Sequence, residues 1–176
     1  MVKLNNKNLS SCKMEIRRLK KEELPVVRDL AYKIWPSTYS HIISKEQISY
    51  MLNWMYSIEA LEKSHDTNHA FFAVFDGDQA LGFVDLELDN PDKKWLKLQK
   101  IYVLPEKQKL GLGLALMDYT VLFAQENEMK HITLQVNRTN KAVSFYERLG
   151  FYVADEQDFD IGNGYFMNDF VMQKDL

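Results

Sequence analysis

The chain has 176 residues, 46% hydrophobic and 27% charged, with a formal net charge of −3. That is an ordinary globular composition, long enough for one domain with a full core. Slight acidity excludes a general nucleic-acid binder, which needs a basic surface, and no apolar run reaches the roughly 18 residues of a membrane span. A single cysteine, Cys12, cannot close an internal disulfide, and the opening residues lack a signal-peptide core, so the expected location is the cytoplasm.

Residues 1–12 are polar and read as a flexible tail, with 13–176 as a single domain. Met14 to Leu19 is a short strand candidate. Leu24, Val27, Leu30, Ala31 and Ile34 recur at helical spacing, and Pro36 is expected to end that helix. Ser44 with Gln47 has capping-box form and opens a second helix carrying Ile48, Met51, Leu52 and Met55. Ile58, Ala60 and Leu61 suggest a further short helix. Ala70 to Phe75 and Ala80 to Leu88 are strands joined by a Gly-containing turn. In the second of these, Val84, Leu86 and Leu88 are expected to face the core, with Asp85, Glu87 and Asp89 facing the other way. Leu114, Met117, Val121 and Leu122 form the stripe of a helix over 114–126, and His131 to Val136 is another strand. Thr139 or Asn140 can cap a helix that Gly150 closes. Phe151 to Ala154 and Tyr165 to Gln173 end the chain as strands around an acidic loop containing Asp155, Glu156, Asp158 and Asp160.

The stretch from 96 to 113 carries the chemistry. Leu96 and Leu98 share one strand parity while Ile101 and Val103 share the other, so an extra residue, a bulge, is expected near Gln99 and Lys100. After a polar turn from Pro105 to Lys109 comes Gln108-Lys-Leu-Gly-Leu-Gly113, opening a helix. Two glycines let backbone approach a partner closely, and free N–H groups with the positive helix end suit a phosphate or pyrophosphate. A dinucleotide fingerprint fails because Leu116 fills its last position, and no Gly-Lys-Ser/Thr follows for a P-loop.

Gln108-x-x-Gly111-x-Gly113 after a bulged strand, together with Asn140-Lys-Ala142-Val-Ser-Phe145-Tyr146 and Gly150-Phe151, resembles the GNAT superfamily of acetyl-CoA-dependent N-acetyltransferases. The motifs span about residues 95–152, and the order of elements extends the likeness over most of the chain. The resemblance implies a mixed α/β (α+β) fold: a mostly antiparallel twisted sheet of about seven strands, with a bulged fourth strand and about four flanking helices. Bacterial polyamine (spermine/spermidine)-type members are the most similar, through Ile101-Tyr-Val103, Asp169 to Lys174 and, more loosely, Ile34 to Tyr39.

The resemblance implies acetyl-CoA as cosubstrate, no metal, and direct attack by a small-molecule amine, with a polyamine-like acceptor favoured. Backbone groups of Lys109, Leu110, Gly111, Leu112, Gly113 and Leu114, with Gln108, would hold the pyrophosphate. Ile101, Tyr102 and Val103 would pair with the pantetheine arm like an added strand, and a free N–H there could stabilise the oxyanion. Asn137 and Asn140 would meet the arm, although Asn140 serves equally as a helix cap. Tyr146 resembles the family's general acid, a phenol that stays protonated at neutral pH. A base is also needed, because an alkylamine is neutral in only about one molecule in 2,500 at pH 7. Lys97 stands where some relatives keep a glutamate, which leaves Glu87, acting through water, or an acid in the last loop. Alternatives are a protein N-terminal or lysine acetyltransferase and a catalytically silent acyl-CoA-binding module. No nucleic-acid or membrane partner is expected, and a homodimer stays open. His65 and His69 have i, i+4 spacing without an evident third metal ligand, and Trp35 and Tyr39 read as packing residues.

Overall fold

The computed structural model describes residues 2–3, 14–89 and 94–176. In chain order these form β1 (Val2–Lys3), β2 (Met14–Arg18), α1 (Leu24–Tyr39), α2 (Lys45–Tyr56), α3 (Ile58–His65), β3 (His69–Asp76), β4 (Gln79–Asp89), β5 (Trp95–Val103), α4 (Leu112–Glu126), β6 (His131–Asn137), α5 (Ala142–Arg148), β7 (Tyr152–Gly162) and β8 (Tyr165–Asp175). Short 3-10 segments, Lys21–Glu23 and Pro105–Leu110, precede α1 and α4. One sheet runs in the order β1-β2-β3-β4-β5-β6-β8-β7, and among the described residues only the β5–β6 pairing is parallel. The mixed, mostly antiparallel architecture agrees with expectation. The counts differ slightly, with eight strands and five α-helices among the described residues.

The extra strand is β1. It lies inside the expected tail, where Val2 pairs with Ile16 and so occupies an otherwise open edge of β2. The rest of that tail, Cys12 included, lies outside the described residues.

Helices cover both faces of the sheet. Phe72 meets Tyr119 and Phe123 of α4 at 4.9 and 5.2 Å, while Phe83 meets Tyr56 of α2 and Phe71 meets His65 of α3. Side chains alternate along a strand, so Phe71, Phe83 and Asp85 belong to the α1–α3 face. The face expected to look away from the core is therefore itself covered, and Asp85 is 0% exposed.

Pro36 lies inside α1, which continues to Tyr39. Proline removes one backbone donor. The hydroxyls of Ser37 and Thr38 donate to the Ile34 carbonyl at 2.9 and 3.0 Å, and Trp35 and Tyr39 pack at 4.5 Å, which holds the last turn in place. The capping box at Ser44 is half made. Ser44 Oγ accepts from the Gln47 N–H at 3.1 Å, but the Gln47 side chain donates instead to the Phe166 carbonyl of β8, also at 3.1 Å.

The acidic loop is in fact strand. Asp155, Glu156, Asp158 and Asp160 all belong to β7, which pairs with β8 alone. Charges on an edge strand remain solvated and discourage further pairing, which explains a strand without an apolar alternation.

Candidate active site

The β4–β5 register slips between Asp85 and Leu86: Asp85 pairs with Lys100 and Leu86 with Leu98, leaving Gln99 as the extra residue. The bulge thus falls where the parity change put it. The apolar Tyr102, out of step with Ile101 and Val103, lies on the α1–α3 face against Phe83 and Trp35. Beyond the bulge β5 stays paired with β4 to Val103 but leaves its other neighbour, since the parallel pairing with β6 stops at Leu98 and Leu134. The two strands open into a cleft of about 640 Å³.

Gln99 to Val103 and Leu134 to Asn137 form the split walls, and Gln108, Gly113, Asn140, Phe145 and Tyr146 line the side toward α4 and α5. The end of α1 and residues 41–43, with Phe166, Met167 and Asp169 of β8, close the other side. Of the residues picked from sequence, Ile101, Tyr102, Val103, Gln108, Gly113, Asn137, Asn140 and Tyr146 line this cleft together. Lys109, Leu110, Gly111, Leu112 and Leu114 do not. Leu112 is buried, whereas Leu110 and Leu114 are exposed, so only their backbones are placed to serve.

That backbone suits an anion. Gly111 has φ +74°, a left-handed conformation that L side chains rarely adopt, and no atom lies within 4 Å of where its Cβ would be. At Gly113 a Cβ would meet only Phe145 Cζ, at 3.9 Å. The helical bonds of α4 begin with the Ala115 N–H donating to the Gly111 carbonyl at 3.1 Å, so the preceding first-turn N–H groups lack intrahelical acceptors. The residues fit a CoA pyrophosphate.

Tyr146 is 7% exposed, packed edge-on to Phe145 and Phe151, and its hydroxyl makes no hydrogen bond among the described residues. Burial, with a smaller effect of Tyr39, pushes its phenol well above the ordinary value. Asn140, one residue before the Lys141 N-cap, accepts the first helical N–H, that of Ala142, at Oδ1 at 2.9 Å, and its side chain also lines the cleft. Asn137 Oδ1 accepts from the Thr139 N–H and hydroxyl at 3.0 and 2.7 Å.

Trp35 and Tyr39 both pack and line the cleft. Tyr39 and Tyr102 share a hydrogen bond of 2.9 Å between hydroxyls, and Trp35 Nε1 donates to the Tyr56 hydroxyl at 3.2 Å. Burial raises the phenols of Tyr39, Tyr56 and Tyr102, so this aromatic wall is uncharged at neutral pH.

Under the bulge lies a buried ion pair. Lys100 Nζ donates to Asp85 Oδ2 at 2.6 Å, and His69 Nδ1 lies 2.7 Å from Asp85 Oδ1. Burial pushes the Asp85 carboxyl up, but Lys100 and His69 outweigh it and hold the group below its usual range. His65 instead stacks on Phe71, and among the described residues no three metal-ligating side chains come together.

Glu87 and Lys97 do not line the cleft. Glu87 accepts from the Gln99 amide, so it reaches the site only through the bulged residue. One residue escaped the sequence reading. Asp169 is 6% exposed, lines the cleft, and receives no hydrogen-bond donor at its carboxylate among the described residues. Burial, offset in part by Arg138, pushes its carboxyl up to about 6. The available signal was an acid on the strand parity of Tyr165, Met167 and Val171.

Comparison with known proteins agrees with this geometry. The acetyltransferase (GNAT) domain family matches residues 40–166. A spermidine N(1)-acetyltransferase of Thermoplasma acidophilum is 27% identical over 167 residues, 92% of this chain and 96% of that protein. The crystal structure of PaiA N-acetyltransferase from Thermoplasma acidophilum in complex with coenzyme A superposes with a TM-score of 0.78 at 27% identity, covering 93% of this chain and 99% of that one. The ribosomal-protein-S18-alanine N-acetyltransferase of Escherichia coli, 18% identical with a TM-score of 0.69 over 91% and 92% of the two chains, shares the fold. The chain belongs to the acetyltransferase (GNAT) domain family and is an acetyl-CoA-dependent N-acetyltransferase.

Proposed function

We propose that the protein moves the acetyl group of acetyl-CoA directly to a primary amine, with a small polyamine-like molecule as acceptor, in the cytoplasm. One observation carries this: the β5 edge opens past Leu98 beside a helix start that two glycines keep clear. Pantetheine amides would add to Ile101–Val103 as another strand would, and the first turn of α4 would hold the pyrophosphate. Asn137 and Asn140 border the arm, and Glu87 acts indirectly by holding the Gln99 amide at the bulge. Tyr146 supplies the proton that the departing sulfur needs. Its raised phenol remains protonated at neutral pH. The polyamine preference rests on similarity to the Thermoplasma proteins along nearly the whole chain.

The test is a coupled thiol-release screen over polyamines, amino acids, aminoglycosides and peptides. Release with spermidine is expected. Stoichiometric CoA binding with no release across the panel would leave only a silent acyl-CoA-binding module. Tyr146→Phe should lower kcat by roughly 10²-fold with KM nearly unchanged, because the acid acts in the transition state.

A further inference from the structure

The acetyl transfer needs a base, and neither Glu87 nor Lys97 faces the cleft. Asp169 does. It stands on β8 opposite Asn137, the last residue of β6, at the level where β6 has already parted from β5. Asp169, Tyr39 and Tyr146 line the same cleft, and Tyr39 interacts electrostatically with both the carboxylate and the phenol.

The charged and titratable groups around Asp169 leave it unneutralised. On the α1 side these are Tyr39 and His41, and on β5 they are Lys100 and Tyr102. Lys100 is committed to Asp85 at 2.6 Å. After β6 come Arg138 and Lys141, of which Arg138 is held by Asp158 at 2.7 Å, and α5 contributes Tyr146. Glu156 and Asp158 flank Gln157, the β7 partner of Asp169, and Arg138 lies against both acids. A carboxylate so buried, with no donor, is costly unless its site uses it.

We propose that Asp169 is the general base of this acetyltransferase, taking the proton from the acceptor ammonium. This rests on the amine-acetyltransferase reading given above. The ammonium gives one proton to the Asp169 carboxylate and becomes a free amine. The nitrogen–carbon bond then forms and the carbon–sulfur bond breaks, its electron pair leaving on sulfur. Sulfur takes a proton from Tyr146, whose oxygen regains one from the nitrogen, and Asp169 releases its proton to water. The products are an amide, a thiol and one proton. Walls of Trp35, Ile42, Met51 and Phe166 favour the neutral acid–amine pair over the ion pair, which narrows the gap between the two acidities.

The experiment compares propylamine with 2,2,2-trifluoroethylamine, acceptors of similar size. The second is weakly basic and already largely a free amine at neutral pH. kcat/KM is measured against pH for the wild type, Asp169→Asn and Asp169→Glu. The wild type should lose activity with propylamine below about pH 6 as Asp169 takes up its proton. Asp169→Asn should lower propylamine turnover at pH 7 by roughly 10²-fold or more, replace that limb by a slope of about tenfold per pH unit that follows the free amine toward its own pKa of about 10, and cost trifluoroethylamine no more than a few-fold. Asp169→Glu should restore part of the limb. Equal losses on both amines, or a break near pH 6 that survives Asp169→Asn, would overturn the assignment while leaving the acetyltransferase reading intact. A wild type that releases no thiol with spermidine or either test amine overturns that reading itself, and the role of Asp169 with it.

Discussion

The two halves of the cleft are built in different ways. The donor half comes from nearly contiguous chain, with a bulge at Gln99, a 3-10 turn, Gly111 and Gly113, and then α4. Its chemistry is backbone chemistry, so it appears in sequence as glycines and parity. The acceptor half is assembled from α1, α2 and β8, whose cleft residues lie more than a hundred positions apart. Gln47 donates to the Phe166 carbonyl and Tyr50 to the Ile161 carbonyl at 2.7 Å, bonds that join α2 to the last hairpin. A local motif can be inherited across relatives as a unit. A surface gathered from distant segments can change its substrate while leaving that motif alone.

The bulge joins the halves, and breaking it should have the largest effect. Lys100→Met leaves the buried Asp85 carboxylate with only His69 to compensate it, an expected loss of about 3 kcal/mol. A melting-temperature drop of less than roughly 5 °C would show that Asp85 finds another partner or water.

Next comes a substitution confined to the donor half. Gly113→Leu fills the space kept clear at the start of α4 and should weaken CoA binding by about 100-fold or more in calorimetry. The melting temperature should hold or rise, since glycine inside a helix costs about 1 kcal/mol. CoA affinity within a few-fold of wild type would remove this turn from the cofactor site.

Asp169 sharpens the comparison from the acceptor side. Its folded carboxyl titrates near 6 rather than 3.8, so on raising the pH the unfolded chain ionises first. Stability contributed by the protonated form is therefore present below about pH 4 and lost as pH rises through about 6. Asp169→Asn should then stabilise the fold by about 1–2 kcal/mol at pH 7.5, discounted for partial solvation, and by nothing measurable at pH 4. Equal melting shifts at both pH values would contradict that sign.

The smallest effect should come from the hairpin. Tyr50→Phe removes a bond worth about 1 kcal/mol. It should raise KM for the amine and leave CoA affinity unchanged, whereas a matching change in CoA affinity would mean the halves are coupled through α2.

Much of the fold was legible because it follows local periodicity. The strand positions, the stripes of α1 and α2, the Gly150 stop and the bulge follow from patterns a few residues long, whereas α4 buries Leu112, Leu116, Met117, Thr120 and Ala124 and turns Leu114 and Leu122 of the expected stripe outward. Three further readings failed, one through local side-chain contacts and two where distant contacts override local preference. Pro36 stays helical because the Ser37 and Thr38 hydroxyls and aromatic packing hold the turn. The acidic loop became β7 because β8 supplies a pairing partner that its polar sequence does not announce. Asp85 is buried because α1 to α3 cover its face of the sheet.

Sequence by itself determined the bulge and the glycine-cleared start of α4, since glycine conformations, helix starts and strand parity are properties of neighbouring residues. Tertiary structure alone decided the acceptor half. Only folding carries Glu87 out of the cleft and brings Asp169 into it beside Tyr39. Burial and long-range electrostatics set a carboxylate's proton affinity, and neither is written in the residues next to it.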